Sequence, residues 1–251
     1  MDKEEFSKIE KLYHYTNMSS LAKILENKSL LYGKLPRMND INERQKEVYN
    51  DQMNGTVFPS QVFSDISREL KHLGQISLTK DSQQRRGFDI PAMWGHYARS
   101  GNGACIVLDR NKIIERCKIT GCIYGEVEYK DSVNPIIYKL GDGESIHDYL
   151  KRQSQDLFFT KTSDWSYEQE FRILRIDEGS PSMIIDKCII AIIMYHNTEK
   201  SIFDTSRFKI IKQRAGDIPV LVYSNTALWG LSLIDDNAND WGESGLSGLR
   251  N

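Results

Sequence analysis

The sequence predicts an α+β fold built on antiparallel or mixed sheets. Strand-like segments outnumber what a regular βαβ alternation would supply, and several carry one apolar and one polar face, as half-covered antiparallel strands do. The length, 251 residues, is enough to bury a substantial core. Residues 1–234 read as a single domain. Residues 235–251, DDNANDWGESGLSGLRN, are polar and rich in Gly, Ser and Asn, and read as a loosely held tail.

KLYHYT (Lys11–Thr16) alternates with period two and reads as a strand. Asn17 or Ser19 can cap the following short helix, which puts Leu21, Ile24 and Leu25 on one face. SLLYG (Ser29–Gly33) is a short strand, and Asp40–Met53 and Gln61–Leu73 read as helices with polar faces. QISLTKD (Gln75–Asp81) is a strand. PAMWGHYARS (Pro91–Ser100) is a short helix opened by proline, and GACIVLD (Gly103–Asp109) a strand ending in an aspartate cap. YGEVEYK (Tyr124–Lys130) alternates strictly, and Glu144–Phe159 is the longest helical candidate. DWSYEQEFRILRI (Asp164–Ile176) begins as a polar turn and ends as a strand. CIIAIIMY (Cys188–Tyr195), RFKIIK (Arg207–Lys212) and PVLVY (Pro219–Tyr223) read as further strands.

Charge balance narrows the function classes. The chain has 33 basic and 35 acidic residues and a net charge of −2. It lacks the basic excess of a broad nucleic-acid footprint, although a local basic groove remains compatible. No stretch reaches the roughly 18 apolar residues of a membrane helix, and MDKEEFSKIEK has no signal-peptide core, so a cytoplasmic protein is expected. Cys105, Cys117, Cys122 and Cys188 form no CxxC pair and read as reduced packing thiols.

Three strands pair an apolar face with hydrogen-bonding groups. Tyr13 and Tyr15 alternate with His14 and Thr16. Ile76 and Leu78 alternate with Ser77 and Thr79. Tyr167, Phe171 and Ile173 alternate with Glu168, Glu170 and Arg172. Each alone is compatible with a half-solvated sheet; together they suggest the lining of one cleft. In MWGHYA, Met93, Trp94 and Tyr97 can form an aromatic ledge, which is either core or a platform for a planar ring. Glu168 and Glu170 suit a metal site, an acid/base pair or a stabiliser of cationic charge. A metal would need a further ligand, for which Asn39, Asp40 and Glu43 of RMNDINE are candidates. Neighbours on one strand face cannot flank a scissile bond as glycosidase carboxylates do. One carboxylate stabilising a developing oxocarbenium while the other orients an acceptor fits the spacing best.

LYHYT, MWGHYA and WSYEQEFRIL, in that order over Leu12–Leu174, resemble the motifs of a widespread bacterial family of formerly unknown function. The same layout resembles ADP-ribosyltransferases of the diphtheria-toxin type, and EQE resembles the Glu-x-Glu signature of the arginine-directed branch. ISLT is not the full Ser-Thr-Ser of that branch. The resemblance implies a split β-sandwich with surrounding helices, NAD as ADP-ribose donor, and no metal. The acceptor it implies is a macromolecule (RNA, DNA or protein), in a toxin–antitoxin or phage-defence setting where an antitoxin protein is a partner. It implies that His14, with the backbone at Tyr15 and Thr16, holds NAD on the first strand, that Ser77 and Thr79 line the site, and that Tyr97 or Trp94 stacks on nicotinamide. Arg172 would orient Glu170 or meet a phosphate. Glu170 would stabilise the oxocarbenium and Glu168 would position the acceptor. A non-catalytic binding module and a metal-dependent hydrolase using Asp40, Glu43, Glu168 and Glu170 are the competing expectations.

Overall fold

A computed structural model describes residues 3–34, 65–66, 68–70, 72–132, 141, 143–177, 179–196, 205–226 and 230–235. The RMNDINE segment, the helix expected over 40–53, part of the one expected over 61–73, and nearly all of the expected tail lie outside them.

The architecture is mixed α+β. Its centre is one nine-stranded sheet ordered β13-β12-β11-β5-β1-β4-β9-β6, with β3 on the flank of β4. The strands are β1 (Lys11–Thr16), β2 (Ser29–Leu31), β3 (Gly33–Lys34), β4 (Gly74–Lys80), β5 (Ala104–Asp109), β6 (Ile123–Glu126), β7 (Glu128–Lys130), β8 (Thr160–Thr162), β9 (Glu170–Arg175), β10 (Ser182–Ile184), β11 (Ile189–His196), β12 (Val220–Thr226) and β13 (Gly230–Ile234). β10 with β2, and β7 with β8, form two small outlying ribbons. Within the main sheet only β11 and β12 run parallel.

The helices are α1 (Lys3–Lys8), α2 (Met18–Asn27), α3 (Pro91–His96), α4 (Arg110–Thr120), α5 (Ile146–Arg152), α6 (Ser154–Phe158) and α7 (Ser206–Ala215). Local chemistry explains their ends. Asn17 Oδ1 accepts from the Ser20 amide at 2.9 Å and starts α2. Asp109 closes β5 and caps α4 by accepting from the amides of Asn111 and Lys112, and Gly121 ends α4 in the left-handed region at φ 68°.

Several expectations change. RFKIIK is helical: Thr205 caps it through the Phe208 amide, and Phe208, Ile211 and Ala215 turn one face to the core. This α7 supplies the crossover that a parallel β11–β12 pair requires. SLLYG breaks at Tyr32, YGEVEYK breaks at Val127, and the long helix expected from Glu144 breaks at Gln153.

One face of the sheet carries a continuous apolar layer in which Leu12, Ile76, Leu78, Ile106, Phe171, Ile173 and Ile192 pack against α2, α4 and α7. The other face has two separate layers. Tyr13, Tyr15, Cys105, Val107 and Ile193 pack with Trp94 and Tyr223, while Leu174 packs with Tyr149, Leu157 and Phe158. Buried polar residues of β4 and β9 lie on this face too.

The ladder between β1 and β4 is short. It covers only Leu12–Lys80 and Tyr13–Thr79, whereas β1 pairs with β5 along all of Lys11–Thr16 and β4 pairs with β9 along Gly74–Thr79. Beyond Tyr13 the two central strands therefore part. Ser77 is the one exposed residue of β4.

Candidate functional site

The strand registers decide which polar groups meet. Tyr13 pairs with Thr79, and Thr79 pairs with Glu170, so these three side chains share one face. Ser77 pairs with Arg172 on that same face. His14 shares its face with Leu12, which is the opposite one. The expectation that all three polar faces line one cleft is thus corrected. The polar faces of β4 and β9 coincide, and the His14 and Thr16 side chains of β1 point to the other side.

The carboxylates gather around a lysine that the sequence reading did not single out. A 3-10 turn, Ser163–Glu168, precedes β9, and Gln169 takes a left-handed conformation at φ 46° between them. Glu168 therefore sits on the turn and not in the strand, but this kink brings its carboxylate to the same cation as Glu170. Lys161 Nζ on β8 lies 2.7 Å from Glu168 Oε2 and 3.4 Å from Glu170 Oε2. Lys161 also stands over the Trp165 ring, 4.9 Å from its centroid.

Arg172 grips Glu170 with two parallel bonds, Nε to Oε1 at 2.8 Å and Nη2 to Oε2 at 2.7 Å, while its Nη1 donates to the Phe158 carbonyl. The Glu170 amide donates to the Tyr129 hydroxyl at 2.9 Å. Tyr97, at the end of α3, donates its hydroxyl to Glu168 Oε1 at 2.6 Å. Glu168 and Glu170 are 4 % and 2 % exposed, so these interactions operate at reduced dielectric.

The two carboxylates are driven apart in acidity. Burial raises Glu168 above the usual carboxylate range; Lys161 offsets this in part, and the neighbouring Glu170 charge adds to it. Burial pushes Glu170 the same way, but the Arg172 guanidinium, then Lys161 and the Ser77 hydroxyl, outweigh it and hold the group at about 2. Glu170 is thus a fixed anion, and Glu168 is the more readily protonated partner. Both already have cationic partners, which leaves little need for a metal ion at this point.

Other expected site residues lie elsewhere. Trp94 is buried, donates Nε1–H to the Phe88 carbonyl at 2.8 Å, and packs edge-on against Tyr15 with ring centroids 5.2 Å apart. Tyr15 donates to the Gly87 carbonyl at 2.6 Å. Both are core residues, so of the aromatic ledge only Tyr97 reaches the carboxylates. Thr16 and Thr79 are buried. His14 is half-buried with Nδ1 fully shielded, and burial lowers its pKa to about 4. Asp40 and Glu43 fall outside the described residues, and among the described ones no group of three acidic, His or Cys side chains is placed to hold a metal.

A family described as a protein of unknown function (DUF2971) matches this chain over residues 93–173. The matched segment contains Tyr97, Lys161, Glu168, Glu170 and Arg172, and leaves out β1 and β4. No curated protein and no solved structure gives a significant match. Among the described residues, no helix is long and apolar enough to cross a membrane.

Proposed function

We propose that the chain is an NAD-dependent ADP-ribosyltransferase that transfers ADP-ribose to a macromolecular acceptor, nucleic acid foremost, in the manner of toxin and defence effectors. The observation that carries this reading is the parting of β1 and β4 beside a pair of carboxylates of opposite acidity. The parting corresponds to the split expected of an ADP-ribosyltransferase sandwich, although here the strands on its two sides still belong to one sheet.

The residues fit the donor in part. Ser77 opens to solvent at the parting, next to Arg172 across the ladder, and Glu170, Glu168 and Tyr97 lie on the same side. The imidazole of His14, on the opposite face, meets only the Ser77 backbone among these residues, and the rings of Tyr15 and Trp94 stay in the core, so the first-strand contribution falls to backbone groups. NAD supplies the nicotinamide leaving group and the ribose carbon at which positive charge develops. Glu170, held ionised by Arg172, is the group suited to oppose that charge. Preorganised charge of this kind supplies about 3–4 kcal/mol on the scale of one oxyanion-hole donor. Glu168, whose burial favours its protonated form, is suited to accept a proton from an acceptor hydroxyl or amine.

A second reading has an observation of its own. Both carboxylates are almost fully shielded and ion-paired, which suits a nucleotide-binding module without turnover. Incubation with labelled NAD and a fractionated lysate separates the two. The enzyme reading expects label in a macromolecular fraction, and expects Glu170→Gln to abolish both transfer and NAD hydrolysis with the circular dichroism unchanged. Saturable NAD binding with neither product would leave the binding module. Absence of binding and of both products overturns both.

A further inference from the structure

We propose a second ligand site, for a phosphate-type oxyanion, on the sheet face opposite the carboxylates. Arg175 ends β9 and shares the face of Phe171 and Ile173, away from Glu170. Its guanidinium lies over the Tyr32 ring, 4.7 Å from the centroid. Its Nε and Nη1 are shielded from solvent and meet no acceptor among the described residues. A buried charged donor without an acceptor is costly, and native structures leave few of them. Arg175 borders a cavity of about 390 Å³, lined also by Tyr32, Lys34, His72, Gly179 and Pro181.

The lining carries two permanent cations, a histidine and no carboxylate among its described residues. Lys34 Nζ is held at the rim by donating to the His72 carbonyl at 3.2 Å. Asp177, two residues beyond Arg175, lies 3.1 Å from His147 Nε2. The cavity also depends on a glycine. Gly74 pairs with Arg175, and a Cβ there would sit 2.8 Å from Tyr32 Cβ, so only glycine lets the Tyr32 ring cross beneath the guanidinium. A stacked, immobilised arginine with spare donors beside a lysine is the chemistry that recognises phosphate. The volume admits more than the bare ion and reaches the range of small-molecule sites, about 300–1,000 Å³.

The test is titration of the full chain with inorganic phosphate and, separately, with 5′-AMP as a phosphomonoester, read by calorimetry and thermal shift. Saturable binding is expected for one or both, with Kd raised at least tenfold by Arg175→Met and by Lys34→Met. Tighter binding of 5′-AMP assigns the site to phosphomonoesters, and tighter binding of inorganic phosphate assigns it to the free ion. Lys34→Met, on a half-buried rim residue, serves if Arg175→Met does not fold. Glu170→Gln is expected to leave phosphate affinity unchanged, which separates this site from the proposed transferase site. Absence of saturable binding by either probe, or binding indifferent to both cation substitutions, overturns the proposal.

Discussion

The Tyr97 hydroxyl lies 2.6 Å from Glu168 Oε1, joining the end of α3 to the turn before β9. This bond favours the ionised form of Glu168. Tyr97→Phe is therefore expected to raise the Glu168 pKa further and to cost about 1.5–3 kcal/mol, the range for a hydrogen bond to a charged group. Carboxyl ¹³C titration and urea unfolding measure the two effects. A Glu168 titration unmoved by the substitution would mean that the hydroxyl does not hold the carboxylate in solution.

Removing the shared cation should be worse. Lys161→Met leaves two buried carboxylates with less compensation, and breaking a buried pair from one side costs about 3–5 kcal/mol. The loss should shrink on acidification as Glu168 takes up a proton. Urea unfolding at pH 7 and at pH 5 checks both the size and the direction.

The two glutamates should respond differently to loss of charge. Glu168→Gln is expected to reduce transfer to the acceptor while sparing slow NAD hydrolysis, because water needs less positioning. Glu170→Gln is expected to abolish both. Parallel assays of label incorporation and free nicotinamide decide this, and a reversed pattern would exchange the two roles.

His14 should make stability depend on pH. Its folded pKa is lowered to about 4, against roughly 6.5 when exposed. Between those values the unfolded chain binds a proton that the folded chain refuses, so stability is lost as pH falls through that window. Glu168 contributes with the opposite sign, because its folded pKa is raised. The difference between wild type and His14→Asn isolates the histidine. Wild-type stability minus that of the variant should fall steadily from pH 7 to pH 4.5 in urea unfolding.

Much of the fold was legible because its signals are local. KLYHYT, QISLTK and the EFRIL strand declare themselves by alternation, and Asn17 and Asp109 by capping chemistry. Phe208, Ile211 and Ala215 did carry a helical period, but the β-branched and aromatic content of RFKIIK pointed to a strand. The site was legible only in part. Alternation reveals which residues of a strand share a face, but not which face of the next strand lies beside it, since register is a property of pairing. His14 was for that reason grouped with Ser77 and Glu170. Lys161 was missed because one lysine in TKT has no distinguishing neighbour in sequence. Its partners, seven and nine residues away, converge on it only through the left-handed turn at Gln169.

The short pairing of β1 with β4 has a mechanical meaning. On one side of the sheet a single apolar layer runs beneath the parting; on the other, two separate cores flank a polar gap. The assembly resembles a book whose spine is the continuous layer. Opening it sacrifices the brief β1–β4 ladder and the Tyr97–Glu168 bond and leaves the spine closed. Amides of β5 and β11, bound on both sides, should then exchange with solvent at close to the global unfolding free energy. Those at the inner edges of β1 and β4 should exchange far sooner, through fluctuations that widen the gap beside Ser77 without unfolding the protein.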